Sequence, residues 1–249
     1  MTAVVTGASS GIGETTARRL DADGFRLILV ARREDRLARL AESLRSATPL
    51  AVDLTAADAP ARVAEGAEQE GRLDLLVNNA GAAFRAGFGE DRGGVENVRR
   101  TIELNFDAVV RLTEALLPQL RRSAPSAIVN VASTAGRVAF PRGGAYSASK
   151  FALAGWTEAL HLEEQPNGVH VGLVLPGFIA TEGFPQSDLK ARAATRWMVS
   201  TPQKVADAIV DAGPGGKAER YVPRPYGAVP LLRALAPGVW RRIARGMQR

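Results

Sequence analysis

The stretch Thr6-Gly7-Ala8-Ser9-Ser10-Gly11-Ile12-Gly13 decides the fold of this 249-residue chain. It directly follows the apolar run Ala3 to Val5 and precedes Thr15 to Leu20, a stretch that is compatible with a helix. A short strand, a glycine-rich turn and a helix in this order are typical of the first unit of a nucleotide-binding α/β fold. The alternative is an ordinary strand-to-helix turn rich in small residues.

The three glycines have separate functions in such a turn. Gly7 permits a tight turn out of the first strand, and Gly11 lets the backbone approach a pyrophosphate. Gly13 lets the following helix pack close to the sheet, with its N-terminal amides facing the phosphates. The predicted phosphate-binding residues are Gly7, Ser9, Ser10, Gly11, Ile12 and Gly13.

Short apolar runs alternate with amphipathic stretches along the rest of the chain. Because these runs are apolar at successive positions, both of their faces should be covered by helices, as in a parallel sheet. We therefore predict an α/β fold, a doubly wound, Rossmann-like parallel sheet with helices on both faces. No linker divides residues 1–249, which predicts a single domain. The strand candidates are Ala3 to Thr6, Leu27 to Ala31, Leu50 to Val52, Leu73 to Asn78, Ile128 to Val131 and His170 to Leu175.

Composition excludes several classes of function. The net charge is +6, but the arginines are scattered among acidic residues and only 6% of residues are aromatic, so we predict no nucleic-acid partner. The chain has no cysteine and only two isolated histidines, which predicts no metal site and no disulfide. Met1 leads directly into a strand-like segment and no apolar run approaches a bilayer span, so a cytoplasmic protein is expected.

The end of the second strand indicates which dinucleotide is bound. A carboxylate there would accept hydrogen bonds from ribose hydroxyls, whereas arginine would pair with a 2'-phosphate. The position holds Ala31, followed by Arg32 and Arg33, so NADP(H) is favoured and NAD(H) is the alternative. Either arginine could instead begin a solvated helix with Glu34 and Asp35.

Two further segments end strands at the same edge of the predicted sheet. Asp53 and Leu54 follow the third strand, where the adenine would lie. Asn78-Asn79-Ala80-Gly81 follows the fourth strand and could be only a strand stop that tolerates positive φ. Its position at the edge favours a double role, with the backbone near the cofactor and Asn side chains tying neighbouring strands. The predicted contacts here are Asn79, Ala80 and Gly81.

A tyrosine and a lysine form the predicted catalytic pair. Tyr146 and Lys150 are four residues apart, so they share one face of a helix, and the chain has only three tyrosines. Ser133 lies thirteen residues before Tyr146 at the end of the fifth strand, with Thr134 as its nearest rival. A phenol near an ammonium group can move a proton, provided that its pKa is lowered from about 10 toward neutrality.

These motifs together closely resemble the short-chain dehydrogenase/reductase family. The resemblance covers roughly residues 2 to 222 and rests on Thr-Gly-x-x-x-Gly-x-Gly, Asn-Asn-Ala-Gly, Ser133, Tyr146-x-x-x-Lys150 and Pro176-Gly177. It implies a seven-stranded parallel sheet, a homodimer or homotetramer, and hydride transfer between a nicotinamide and a small-molecule carbonyl or alcohol. Each motif alone is weak evidence, whereas the set in this order and spacing is specific.

The resemblance also implies individual roles for the site residues. Tyr146 would be the general acid in reduction and the general base in oxidation. Lys150 would hold the nicotinamide ribose and, together with the charge of the oxidised nicotinamide, lower the pKa of Tyr146. Ser133 would donate to the substrate oxygen, and Asn105 would join a water-linked proton relay to Lys150. The nicotinamide contacts would come from Pro176, Gly177, Ile179 and Thr181, which could otherwise be a simple strand-ending turn.

Two segments outside the motifs complete the prediction. Residues 178–202 would form a lid over the substrate, and their apolar side chains Phe184, Trp197 and Met198 favour a hydrophobic substrate or, alternatively, pack elsewhere. Residues 228–249, here called the C-terminal tail, are basic and amphipathic, with Pro230 and Pro237 expected to break them into short helices. The tail could pack on a partner subunit, which we favour, or lie on a membrane surface or at the substrate entrance.

Three functions remain compatible with the sequence. The first is an NADP(H)-dependent carbonyl reductase or alcohol dehydrogenase, and the second is an NAD-linked dehydrogenase of the same family. The third is a non-catalytic regulator that binds a dinucleotide as a redox signal. The presence of Ser133, Tyr146 and Lys150 together favours an enzyme over a regulator.

Overall fold

A seven-stranded parallel sheet forms the centre of the protein in the computed structural model, which describes residues 1–182, 186 and 198–246. The sheet strands are β1 (Thr2–Thr6), β2 (Arg26–Ala31), β3 (Ala47–Ala51), β4 (Leu75–Asn78), β5 (Ser126–Val131), β6 (Val169–Pro176) and β9 (Glu219–Val222). A separate short pair joins β7 (Phe178–Ile179) to β8 (Val199–Ser200). The predicted α/β fold and the implied strand number are confirmed.

Helices connect the strands in sequence. They are α1 (Gly11–Ala22), α2 (Glu34–Glu42), α3 (Ala59–Gln69), α4 (Gly94–Ile102), α5 (Ala108–Arg122), α6 (Gly144–Glu164), α7 (Pro202–Ala212), α8 (Ala228–Leu235) and α9 (Pro237–Gly246). A π-helical turn at Glu103–Asp107 joins α4 to α5. None of the helices in these described ranges is long and apolar enough to cross a bilayer.

The sheet buries apolar side chains on both faces, as the uninterrupted apolar runs predict. Val5 and Leu29 point to one face, where they pack with residues of α1, α2 and α7. Val4 and Ile28 point to the other face, where they pack with residues of α3 and α5. All four side chains are fully buried, so the core lies on both sides of one sheet.

The strand order indicates where a ligand site lies in this sheet. The order is β3-β2-β1-β4-β5-β6-β9, so the chain moves outward in one direction from β1 and then returns to add β4 on its other side. Ligands of doubly wound sheets bind outside the carboxyl ends of the strands at such a reversal. The glycine loop after β1 and the Asn-Asn-Ala-Gly segment after β4 therefore lie next to each other.

The two edge strands differ from the sequence prediction. β3 was expected at 50–52 and instead spans Ala47–Ala51, including Pro49, which an edge strand tolerates because one side of it needs no hydrogen bonds. β9 has the sequence Glu-Arg-Tyr-Val, is only partly buried and was missed because it has no apolar run. The five central strands match their predicted positions to within about two residues.

The C-terminal tail is helical as far as it is described. Pro237 begins α9 and separates it from α8, as expected. The prediction for Pro230 is wrong, because this residue lies in the first turn of α8, where its missing N–H has no helical partner to lose. Residues 247–249 lie outside the described residues.

Candidate active site

The glycine loop after β1 has a backbone that only small residues allow. Gly7 and Gly11 have φ of +68° and +57°, a region that L side chains rarely adopt. A Cβ on Gly13 would overlap the Gly7 carbonyl oxygen and lie 2.7 Å from Asn79 Nδ2. Helix α1 begins at Gly11, so its first amides point out of the loop and can bind an anion.

Thr6 and Asn79 hold the two adjacent strand ends together. Thr6 Oγ1 accepts hydrogen bonds from the amides of Asn79 (2.9 Å) and Ala80 (3.0 Å), and Asn79 Nδ2 donates to the Thr6 carbonyl at 2.9 Å. Asn78 Nδ2 donates to Asn130 Oδ1 at 2.9 Å, which ties β4 to β5. The Asn side chains therefore tie strands as expected, whereas the part played by the Thr6 hydroxyl was not predicted.

The Arg33 side chain reaches back to the glycine loop. Its guanidinium donates to Ser9 Oγ at 3.0 Å and to Ser10 Oγ at 2.7 Å. Arg33 is the residue that precedes α2, yet its side chain does not extend into solvent along that helix. The structure therefore places a cation beside the two loop serines.

Arg32, Asp53 and Leu54 were predicted to contact the cofactor, but they do not line the main cleft. Arg32 is exposed, and its charge contributes, after hydrogen bonds from Thr55, to a lowered pKa of Asp53. Leu54 was predicted beside the adenine, but its side chain is buried in the core and its carbonyl oxygen accepts a hydrogen bond from Arg111. A short apolar residue after a strand is a weak signal for a ligand contact.

Lys150 is a buried cation. It lies on α6, is 3% exposed, and donates from Nζ to the Val131 carbonyl oxygen at 2.9 Å. Burial lowers its pKa to about 8, because water no longer stabilises the ammonium group. The same Nζ lies 6.0 Å from the centre of the Tyr146 ring, so the predicted pair does share one helix face.

The pKa of Tyr146 shifts in the direction opposite to our expectation. Burial of the phenol raises it, while hydrogen bonding with the Ser133 hydroxyl and the charge of Arg85 act in the lowering direction. Desolvation therefore outweighs the nearby charges, a balance that residue spacing alone cannot show. A phenol in this environment holds its proton at neutral pH.

Ser133 is fixed by the turn that follows β5. It is 8% exposed, its Oγ accepts from the Ala135 amide at 3.1 Å, and Oγ lies 3.3 Å from the Pro176 carbonyl oxygen to which it donates. The hydroxyl thus caps the 3₁₀ turn Thr134–Gly136 and also reaches the phenol of Tyr146. The capping contact therefore holds this hydroxyl beside the phenol.

Asn105 is completely buried behind the cleft. It lies in the π-helical turn, accepts from the Ala82 amide at 2.9 Å, and donates to the Ala82 carbonyl (2.9 Å) and Ser149 Oγ (3.0 Å). A Cβ on Gly81 would lie 3.0 Å from Asn105 Oδ1 and 3.5 Å from Lys150 Nζ. The asparagine therefore fixes the loop after β4 at the level of the lysine.

The segment after β6 closes the cleft. Thr181 packs over the glycine loop, with Cγ2 3.3 Å from where a Gly11 Cβ would be. A Cβ on Gly177 would overlap the ring of Tyr226, whose hydroxyl donates to the Met198 carbonyl at 2.9 Å. Ile179 is 6% exposed. Most of the predicted lid, including Phe184 and Trp197, lies outside the described residues.

One cleft of about 900 Å³ joins these parts. Fifteen of the predicted residues line it: Gly7, Ser10, Gly11, Ile12, Gly13, Asn79, Ala80, Gly81, Ser133, Tyr146, Lys150, Pro176, Gly177, Ile179 and Thr181. Sequence reasoning missed Arg85, Phe140 and Arg142, which also line it. They lie in irregular loops that have no periodic pattern. Only their position after the ends of β4 and β5 could have predicted a place near the site.

The donors along this cleft fit a dinucleotide. The loop offers helix N-terminal amides and a guanidinium, a set that matches phosphate groups. Lys150, at the far end, supplies a buried ammonium with one carbonyl partner in hydrogen-bond reach and further N–H groups to donate. A dinucleotide needs groups of both kinds, which bind phosphate and hydroxyl groups, in one cleft.

Known proteins resemble both the sequence and the fold. Bovine dehydrogenase/reductase SDR family member 7B is 32% identical over 261 residues, covering 96% of this chain and 79% of that protein. Ketoacyl reductase HetN from Nostoc sp. is 31% identical over 216 residues, covering 85% and 74%. A Burkholderia cenocepacia short-chain dehydrogenase solved in complex with NADP has a TM-score of 0.81 at 26% identity, covering 98% of this chain and 96% of that chain.

The match to a family model is the decisive comparison. Residues 1–191 match the sequence model described as short chain dehydrogenase, and these residues include all those that line the cleft. The fold, the strand order and the glycine loop agree with that match. The chain therefore belongs to the short-chain dehydrogenase family of NAD(P)-dependent oxidoreductases.

Proposed function

We propose that the protein is an NADP(H)-dependent oxidoreductase that transfers a hydride between nicotinamide and a carbonyl or secondary alcohol. The observation that carries this proposal is the meeting of Ser133, Tyr146 and Lys150 in the cleft that begins at the glycine loop. When bound, the nicotinamide supplies the hydride to the carbonyl carbon or takes it from the alcohol carbon.

In this proposal Tyr146 gives the proton that the substrate oxygen needs in reduction. Burial raises its pKa, so the phenol is protonated at neutral pH and ready to act as the acid. Ser133 donates to the same oxygen and stabilises the charge that develops on it. In oxidation Tyr146 takes the proton back, and this direction should be favoured at higher pH.

Lys150 is assigned to the ribose hydroxyls of the nicotinamide half. With a pKa of about 8 it is largely protonated at neutral pH and can donate several hydrogen bonds. Asn105 is assigned a positioning role, because its side chain holds Ala82 and Ser149 and lies near the Lys150 ammonium. A water between them would complete the relay that the family resemblance implies.

The NADP(H) preference is supported by charge. Arg33 lies on Ser9 and Ser10 at the adenosine end of the cleft, Arg32 is exposed beside it, and Ala31 leaves no carboxylate to repel a 2'-phosphate. The Burkholderia relative was solved with NADP. The alternative is an NAD-linked enzyme in which Arg33 only stabilises the loop.

A moderately hydrophobic carbonyl compound is the proposed substrate. Phe140 and Phe178 line the cleft on the side of Tyr146, while Arg85 and Arg142 add charge at its border. The Nostoc relative is named a ketoacyl reductase, which fits a substrate with an apolar chain and a ketone. Aliphatic β-keto esters are therefore the first compounds to screen.

A homodimer or homotetramer is proposed as the assembly. Phe106, Val110 and Trp156 line a second, shallow depression of about 500 Å³ on the outer surface of α5 and α6. Phe106 and Trp156 pack edge to face at 6.1 Å there. Helices with aromatic side chains at the surface are suited to pack against the same helices of a second copy.

Paired fluorescence titrations with NADPH and NADH test the proposal without knowledge of the substrate. Tight binding of NADPH and weak binding of NADH is the expected result, followed by NADPH oxidation on addition of a suitable ketone. Preference for NADH would contradict the cofactor assignment, and binding of neither would contradict the enzyme.

The double variant Arg32→Ala, Arg33→Ala separates a 2'-phosphate contact from a loop effect. We expect NADPH affinity to fall by about 10-fold to 100-fold while NADH affinity changes little, because only NADPH loses charge-assisted hydrogen bonds. Arg39→Ala is the matched control, since Arg39 is exposed on α2 and pairs with Asp35. Equal losses for both cofactors would show that the arginines act through the loop alone.

A further inference from the structure

The C-terminal tail presents a row of exposed apolar side chains. Leu231 and Leu235 on α8 are 62% and 84% exposed, and Val239 and Ile243 on α9 are 48% and 42% exposed. Each pair is separated by four residues and therefore lies on one side of its helix. Side chains of this size are rarely exposed in a continuous set without a partner.

Among the described residues, an aromatic contact and an arginine contact attach the tail to the rest of the protein. Trp240 is buried and packs edge to face on Phe140, with ring centres 5.9 Å apart. The Arg233 guanidinium lies 5.4 Å from the centre of the Phe151 ring and donates to the Arg137 carbonyl at 3.4 Å. Trp240 and Arg233 thus orient the helices, while the four apolar residues remain exposed.

The charge of the tail indicates the chemistry of the partner. The tail contains five arginines and no aspartate or glutamate. The four that are described are exposed, and none of them takes part in an ion pair within the described part of the chain. A second copy on a twofold axis would bring this cationic face against itself, so an anionic partner is favoured.

We propose that the tail docks on an anionic phospholipid surface. The four apolar side chains would enter the acyl boundary, and the arginines beside them would meet lipid phosphates. The two helices have eight and ten residues, which is far short of a bilayer span, so they would lie in the plane of the interface. This inference concerns a second binding surface and does not depend on the proposed reaction.

The docking surface lies next to the catalytic cleft. Phe140, which carries the Trp240 contact, is also part of the cleft wall. A docked tail would therefore place this side of the cleft close to the lipid surface, where hydrophobic compounds concentrate.

Vesicle flotation with the purified full-length protein tests the proposal. The probes are phosphatidylcholine vesicles with and without phosphatidylglycerol, each at low and high salt. We expect binding to the anionic vesicles only, weakened by salt because surface charges are screened. Leu235→Glu with Ile243→Glu should reduce that binding by about tenfold or more, since both apolar burial and charge attraction are lost.

Leu162→Glu is the matched control for these variants. Leu162 is 66% exposed on α6, eleven residues beyond Phe151 and thus about 16 Å along the helix from the tail contact. It should bind vesicles like the unmodified protein. Absence of binding to anionic vesicles, or equal binding by the tail variant, would overturn the proposal. So would an oligomer that the tail variant dissociates, because a second copy would then cover this face.

Discussion

The cleft and the C-terminal tail are opposite kinds of surface in one molecule. In the cleft, a Cβ added to Gly13 would meet backbone within the loop, and Lys150 is 3% exposed. In the tail, Leu235 is 84% exposed, and no residue of α8 is buried. A larger side chain in the glycine loop would overlap neighbouring atoms. An exposed side chain of the tail has no such neighbours to overlap.

This difference explains why the sequence predicts the structure of the cleft better than the partner of the tail. Where only one residue type fits the backbone, that residue in the sequence predicts the local conformation. Gly7, with its φ of +68°, is an example. Where side chains are exposed, only composition and spacing carry information, and these are compatible with several partners. Four substitutions test the contrast, from the largest expected effect to the smallest.

Tyr146→Phe should have the largest effect. Removing the phenol hydroxyl should lower turnover by about 10² to 10⁴, because the substrate oxygen loses its proton donor, while NADPH binding stays nearly unchanged. Steady-state kinetics with the best ketone and a cofactor titration measure the two effects. Tyr221→Phe, a half-buried tyrosine on β9, is the control and should retain turnover. A Tyr146→Phe enzyme with normal turnover would disprove the assignment.

Lys150→Met should change stability in a pH-dependent way. In the folded protein the pKa of Lys150 is about 8, against 10.5 for an unburied lysine, so below pH 8 the buried charge costs about 3 kcal/mol. The cost disappears as pH rises from about 8 toward 10.5, because the folded protein then loses the proton first. Part of the gain is offset by an unpaired Val131 carbonyl.

Urea unfolding of both proteins across this pH range measures the effect. The variant should gain stability relative to the unmodified protein at pH 7, and its advantage should shrink toward pH 10. Lys204→Met removes an exposed lysine and is the control. A stability difference between Lys150→Met and the unmodified protein that is constant with pH would contradict a desolvated ammonium group.

Gly13→Ala should disturb the loop by a smaller amount. The added methyl group would overlap the Gly7 carbonyl, so we expect a loss of about 1–3 kcal/mol in stability and weaker binding of both cofactors. Gly155→Ala is the matched control, because Gly155 lies inside α6 with open space around its Cα. It should gain up to about 1 kcal/mol from better helix propensity. Thermal unfolding of both variants measures the expected loss for Gly13→Ala and the expected gain for Gly155→Ala.

Leu235→Gln should have the smallest effect on the isolated protein. The side chain is 84% exposed, so the free energy of unfolding should change by less than about 0.5 kcal/mol. Turnover in solution should stay the same. Differential scanning calorimetry and the ketone assay provide the check. A loss of several kcal/mol would show that the tail is part of the core in solution, and the contrast drawn above would fail.

The sequence predicted the parts of the molecule in which pattern and geometry coincide. The central strands, the glycine loop after β1 and the joint position of Tyr146 and Lys150 on one helix follow from local spacing. Strand β9 and the start of β3 were not found, because edge strands are short and need no apolar run. The direction of the Tyr146 pKa shift also depends on burial, which is a property of the whole fold.

Contacts between distant segments were the hardest to predict. The hydrogen bonds of Arg33 to the loop serines and the packing of Phe140 on Trp240 join residues far apart in sequence. Nothing in the local pattern around either residue specifies such a partner. The same limit applies to Arg85, which acts on Tyr146 from an irregular loop.

The contact between Gly177 and Tyr226 has an evolutionary consequence. Because the tyrosine ring fills the space that any side chain at position 177 would need, the two positions cannot vary independently. Relatives with a larger residue in place of Gly177 should carry a small residue in place of Tyr226, and would then lose the bond to the Met198 carbonyl. Selection on the residue at position 177 would thus also constrain position 226, which lies just before the tail.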